Sequence, residues 1–252
     1  MQLRYRLALP LVAICCLAFA VAPALAAKTA PTVVQQNPTL HPSNQTNAAC
    51  AMGVLPPPGT AFGYILPPDD IYYTLLDPAQ CSACPAPAAA GRLMQTAHVL
   101  LYFTEPCQIP VSVSITPAFD NGQGCFQPNP FAPPLCAPVQ YVVNDGGVLN
   151  QCVQYDLPIS SGCCIQGKSF VTFEFDQGTC GSGRPAFCAT GAGACVNCVQ
   201  YNFYPGATFP GDDICAVIGS QVGVINMWVD SDCCPPVGTL PGSWGMLKTL
   251  YR

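Results

Sequence analysis

Gly162-Cys163-Cys164-Ile165-Gln166-Gly167-Lys168-Ser169-Phe170-Val171-Thr172-Phe173-Glu174-Phe175-Asp176 is the stretch on which the fold turns. Val171, Phe173 and Phe175 share one face of an extended chain, and Thr172, Glu174 and Asp176 share the other, the period-two pattern of a half-buried strand. Two adjacent cysteines lead into it. Neighbouring strand residues point to opposite faces, so Cys163 and Cys164 are expected to bond distant partners rather than each other. The same holds for Cys233 and Cys234.

Working outward, the alternation recurs. Val111, Val113 and Ile115 alternate with Ser112, Ser114 and Thr116, while Ile225, Met227 and Val229 alternate with Asn226, Trp228 and Asp230. Between Leu93 and Thr104, Ala97, Val99, Leu101 and Phe103 alternate with His98, Leu100, Tyr102 and Thr104. A helix is the alternative there, since Ala88 to Leu101 contains good helix formers. Aromatic and β-branched residues ahead of Pro106 favour a strand. Further strands are expected at Ile71–Leu76, Val139–Val143, Cys152–Tyr155, within Cys195–Tyr204 and at Trp244–Leu250, with loops over Asp120–Pro138 and Gly181–Gly193. Short alternating strands between Gly/Pro turns indicate an all-β chain, a disulfide-rich antiparallel β-sandwich or jelly roll with long Gly/Pro loops.

The first residues set the compartment. Arg4 and Arg6 precede an apolar run from Leu7 to Val21 that ends in Ala24-Leu25-Ala26, the order of a secretory signal, so residues 1–26 are expected to be removed. The run is short for a bilayer span, and no span is expected after cleavage. Residues 27–49, rich in Pro, Gln and Asn, read as a flexible leader. Residues 50–252 then form the stapled sandwich, with two subdomains as the rival arrangement.

Cleavage removes Cys15 and Cys16 and leaves an even set: Cys50, Cys81, Cys84, Cys107, Cys125, Cys136, Cys152, Cys163, Cys164, Cys180, Cys188, Cys195, Cys198, Cys215, Cys233 and Cys234. In an exported chain such a set reads as a disulfide framework, with pairing undetermined by spacing. Cys81-x-x-Cys84 and Cys195-x-x-Cys198 have zinc-like spacing, but an oxidising compartment argues for bridges.

Charged residues make up 8% of the chain, well under the usual quarter. Removing Arg4 and Arg6 from 8 basic residues leaves six against 13 acidic ones. That balance excludes a nucleic-acid partner, which needs clustered Lys and Arg. Catalytic sets are equally thin: His98 is the one histidine in the expected folded part, and Gly-x-Ser-x-Gly is absent. A solitary strand histidine is expected to be structural.

Asn226, Trp228 and Asp230 form the first candidate binding face, an aromatic platform with polar flanks suited to a sugar. Tyr201, Asn202 and Tyr204 form a second. Asp230 and Asp232 are candidate calcium ligands, the one cofactor the sequence suggests, since calcium prefers oxygen donors. The expected role is that of a secreted, non-catalytic cell-surface or extracellular binding or structural protein whose partner is a carbohydrate or another surface component. The alternative is a secreted hydrolase acting on polysaccharide, which would need two carboxylates facing across a cleft.

Gly162-Cys163-Cys164, Trp228-Val229-Asp230-x-Asp232-Cys233-Cys234 and Trp244-Gly245-x-x-Lys248-x-x-Tyr251-Arg252 carry a resemblance, over the C-terminal third, to uncharacterised secreted, cysteine-rich bacterial β-sandwich proteins. The resemblance implies export and a β-rich fold, and no reaction.

Overall fold

The computed structural model describes residues 50–56, 61–65, 69–81, 84, 91–180, 185–190, 195–219 and 223–234. All lie in the compact unit Thr32–Arg252. The expected signal peptide, the leader and the strand at Trp244–Leu250 fall outside the described residues.

Among the described residues fourteen strands run in chain order: β1 Cys50–Val54, β2 Ala61–Ile65, β3 Asp70–Leu76, β4 Arg92–Tyr102, β5 Gln108–Asp120, β6 Phe126–Pro128, β7 Cys136–Asn144, β8 Cys152–Pro158, β9 Cys164–Ile165, β10 Ser169–Phe175, β11 Ala186–Ala189, β12 Gln200–Phe203, β13 Asp212–Asp213 and β14 Met227–Cys233. They make two seven-stranded sheets. Sheet one is ordered β1-β14-β4-β11-β2, with β8 and β9 also on β4; sheet two is ordered β13-β12-β3-β10-β5-β6, with β7 also on β5. Every strand pair is antiparallel. The architecture is a disulfide-rich all-β sandwich.

The opening stretch explains why the sheets close on each other. Val171, Phe173 and Phe175 of β10 meet Val111, Val113 and Ile115 of β5, and Ala97, Val99 and Leu101 of β4, in one continuous core. Ile225, Met227 and Val229 enter the same core. Phe187 of β11 packs edge-on against Tyr72 at 4.6 Å and Phe175 at 5.4 Å, so rings from opposite sheets interlock. The stretch Arg92–Tyr102 is a strand and not a helix, because its odd-numbered face is needed in that core.

The outer face of sheet two is more apolar than the alternation suggests. Phe170, Tyr73 and Tyr201 form a buried aromatic cluster there, with Phe126 and Phe203 against it. Two short strands fall inside segments read as loops, β6 within Asp120–Pro138 and β11 within Gly181–Gly193, and β9 begins at Cys164 of the Cys-Cys pair.

Eight disulfides join all sixteen of the expected cysteines: Cys50–Cys81, Cys84–Cys233, Cys107–Cys180, Cys125–Cys198, Cys136–Cys163, Cys152–Cys188, Cys164–Cys234 and Cys195–Cys215. Each cysteine of both Cys-x-x-Cys motifs joins a different bridge. Adjacent cysteines also part company: Cys163 is buried and reaches β7 of the other sheet, while Cys164 points outward to Cys234.

Strand β4 is the hub of sheet one, and two bridges cross it. At its start, Leu93 pairs with Cys164 on one side and Asp232 on the other, so Cys164–Cys234 spans the strand. Gly91 has φ +53, and a Cβ there would lie 2.9 Å from Cys234 Sγ and 3.1 Å from Cys164 Sγ. Glycine is what lets the bridge pass. At the other end, Tyr102 pairs with Cys152 and Ala186, and Cys152–Cys188 joins the flanking strands β8 and β11.

Candidate functional site

Between those two bridges lies the most distinctive group of side chains. Alternation puts Trp228 and Asp230 of β14, His98 of β4, and Gln154 and Asp156 of β8 on the outer face of sheet one. The antiparallel register then sets Trp228 opposite His98, and His98 opposite Asp156, in one row across three strands. The His98 ring stacks on the Trp228 indole with centroids 4.9 Å apart and planes 15° from parallel. Its Nδ1 is 2.7 Å from Asp156 Oδ1, and its Nε2 is 3.2 Å from Asp230 Oδ2. The second contact is at ion-pair distance but lacks hydrogen-bond alignment. Gln154 Nε2 donates to Asp156 Oδ1 at 2.7 Å and so fixes that carboxylate.

His98 is 2% exposed and Trp228 6%. Burial pushes an imidazole pKa down, because the charged form loses water. Here the carboxylates Asp156 and Asp230 outweigh that loss and hold the His98 pKa above its ordinary 6.5. The group is therefore an imidazole whose charged form is favoured by two carboxylates, capped by an indole. It is suited to clamping three strands and poorly suited to general-base chemistry, which needs a free ring nitrogen facing a substrate.

Asp230 and Asp232, the calcium candidates, are both engaged by neighbours. Asp230 faces His98, and Asp232 Oδ2 accepts from Gln95 Nε2 at 2.6 Å. Opposite the step from Asp230 to Ser231, the ladder skips Gln95 of β4, a bulge that frees this side chain to reach Asp232. Among the described residues no cluster of three or more His, Cys, Asp or Glu is arranged to hold a metal ion.

The remaining binding candidates are not gathered into one surface. Asn226 is fully buried ahead of β14, and its Nδ2 and Oδ1 have no hydrogen-bond partner among the described residues. Tyr201 and Asn202 are both buried and point to opposite faces of β12: Tyr201 packs in the outer aromatic cluster and donates its hydroxyl to Phe126 O, while Asn202 donates to Asp70 Oδ2 at 2.9 Å. Tyr204 is 38% exposed and donates to Asp212 Oδ2 at 3.0 Å.

Two polar groups escaped the sequence reading. Asp156 and Gln154 complete the His98 cluster, and the alternation of Gln154-Tyr155-Asp156-Leu157 would have put both on one face, but only the strand register sets them beside His98. Gln200 is the other. Its side chain accepts from Ile225 N at 2.7 Å and donates to Ile225 O at 2.6 Å and to Thr74 Oγ1 at 2.8 Å, a peptide-like tie between the sheets. No protein-family model, curated protein or solved structure matches the chain.

Proposed function

We propose that this is an exported, non-catalytic β-sandwich that works at or beyond the cell surface as a binding or structural module. The carrying observation is that all sixteen cysteines from Cys50 to Cys234 are spent in bridges. Such frameworks persist in oxidising compartments, and each native bridge in a small secreted domain typically contributes about 2–5 kcal/mol. The charged end and apolar run at Met1–Val21 support export.

The non-catalytic part of the reading is supported by His98, whose two ring nitrogens both face carboxylates. A polysaccharide hydrolase would need carboxylates separated by substrate; Asp156 and Asp230 have an imidazole between them instead. Carbohydrate contact through Trp228 has no support from its burial. Within this reading we assign any glycan contact to the open side chains around Tyr204, and a glycan array comparing the native protein with Tyr204→Ala and Trp228→Ala tests that assignment.

The main test is mass analysis of the protein recovered from outside the cell, alkylated before and after reduction. The reading expects a chain starting after residue 26, no label on the folded form and label on every cysteine after reduction. Label entering the folded protein, or a chain retained in the cytoplasm with its first residues intact, would overturn it.

A further inference from the structure

Arg92 opens β4 and is 8% exposed, yet among the described residues no carboxylate pairs with it. Its Nη1 donates to Gly91 O at 3.2 Å and its Nη2 to Cys81 O at 3.0 Å. Its Nε is buried without an acceptor among the described residues. A guanidinium cannot shed its charge, so carbonyl dipoles alone leave a buried cation under-compensated.

The same side chain lines a half-open cleft of about 270 Å³, whose other walls are Pro78, Ala79, Gly91, Ile165 and Gly167. These walls are apolar and small. At the rim the nearby acid is already committed: Asp77 Oδ2 pairs with Lys168 Nζ at 2.9 Å, and its Oδ1 accepts from Ala79 N. Gly167, at φ +77, has open space where a Cβ would sit, which keeps the mouth wide.

We propose that this cleft is a binding site for a small carboxylate-bearing ligand, with the carboxylate on Arg92 and the carbon skeleton against Pro78, Ala79 and Ile165. A planar carboxylate matches the guanidinium fork, and low-dielectric walls strengthen the pairing. A volume near 270 Å³ suits one ring or a short acid and excludes a long chain. The site does not depend on the export reading, since it is argued from Arg92 and the cleft alone.

The test is calorimetric titration of the full exported chain with galacturonate, with galactose as the uncharged counterpart and sulfate as the inorganic anion. Binding of galacturonate without galactose is expected. Arg92→Gln should weaken it at least about tenfold, the value of one charge-assisted pair. Because Arg92 also braces two loop carbonyls, Ala79→Trp serves as a second variant: position 79 is exposed, and an indole there closes the mouth without touching the core. It should abolish binding while leaving the melting temperature unchanged. Equal binding of galactose, no binding of galacturonate, sulfate binding as well as galacturonate, or galacturonate binding that survives Ala79→Trp would each overturn the proposal.

Discussion

Asp156→Asn is the substitution that isolates the electrostatics of the β4 clamp. It keeps the shape of the side chain and an oxygen for Nδ1–H, and removes one negative charge 2.7 Å from a buried imidazole whose charged form it favours. Unit charges about 4 Å apart at an effective dielectric near 20 attract by about 4 kcal/mol. Part of that returns, because Asn retains a dipole and the Asp156 side chain is 21% exposed to screening water. The net loss should be about 1.5–3 kcal/mol, the range for a hydrogen bond to a charged group. For a domain of this size that lowers the melting temperature by roughly 3–12 °C.

The pH dependence makes the prediction specific. Burial lowers the His98 pKa, and Asp156 and Asp230 raise it by more, so the folded value lies above 6.5. The clamp's contribution is then fully present below pH 6.5 and fades as pH rises through the folded pKa. Native protein and Asp156→Asn should differ most below pH 6.5, and the difference should shrink as pH rises through the folded pKa of His98, read by calorimetry with the bridges intact. A difference that does not change with pH, or none below pH 6.5, would refute the clamp.

Trp228 reports the same event: in a Trp244→Phe background its emission should be blue-shifted and should brighten as pH rises, because protonated imidazole quenches a stacked indole; a pH-independent signal would contradict the stacking. Gly53 sits opposite Trp228 at φ +113, where a Cβ would lie 2.7 Å from Met227 O and 2.9 Å from Trp228 Cα. Gly53→Ala should therefore cost well over the roughly 1–2 kcal/mol of left-handed strain that Gly122→Ala, with open space around it, incurs; equal melting temperatures for the two would remove the steric argument. Replacing Cys136 and Cys163 together with serine opens a loop of sequence separation 27 and should cost about 3.5 kcal/mol by loop entropy, measured by guanidinium unfolding. Asp70 is held above its ordinary 3.8 by burial, against hydrogen bonds from Asn202 and Tyr72 that favour the charged form; its neutral-form stability is complete below pH 3.8 and lost as pH rises through the folded value. Asp70→Asn should thus raise the melting temperature at neutral pH, and a lowered one would show that the charge is needed.

The long strands were legible because each has one face in the core, and burial of one face writes a period of two into the residues. Val171-Thr172-Phe173-Glu174-Phe175 and Met227-Trp228-Val229-Asp230 show it plainly. Short strands such as β9, β11 and β13 are paired for two to four residues, too few for a period to appear. The inner and outer faces of β14 were also legible, but not the burial of the outer one. Trp228 and Asp230 look like a wet platform in sequence; across the sheet they meet His98, a neighbour 130 or more positions away that no local pattern reveals. The isolation of Arg92 is illegible in sequence for a related reason: it depends on which groups the folded chain leaves away from the guanidinium.

The adjacent cysteines give the fold a chemical vulnerability as well as strength. Cys136–Cys163, Cys164–Cys234 and Cys233–Cys84 are joined head to tail through two peptide bonds. If a reductant opens one of them, the chain end it held loosens, and the adjoining cysteine's bridge becomes accessible to the same reductant in turn. Damage to a single sulfur pair would then spread through three, from β7 in one sheet to the far end of β14 in the other.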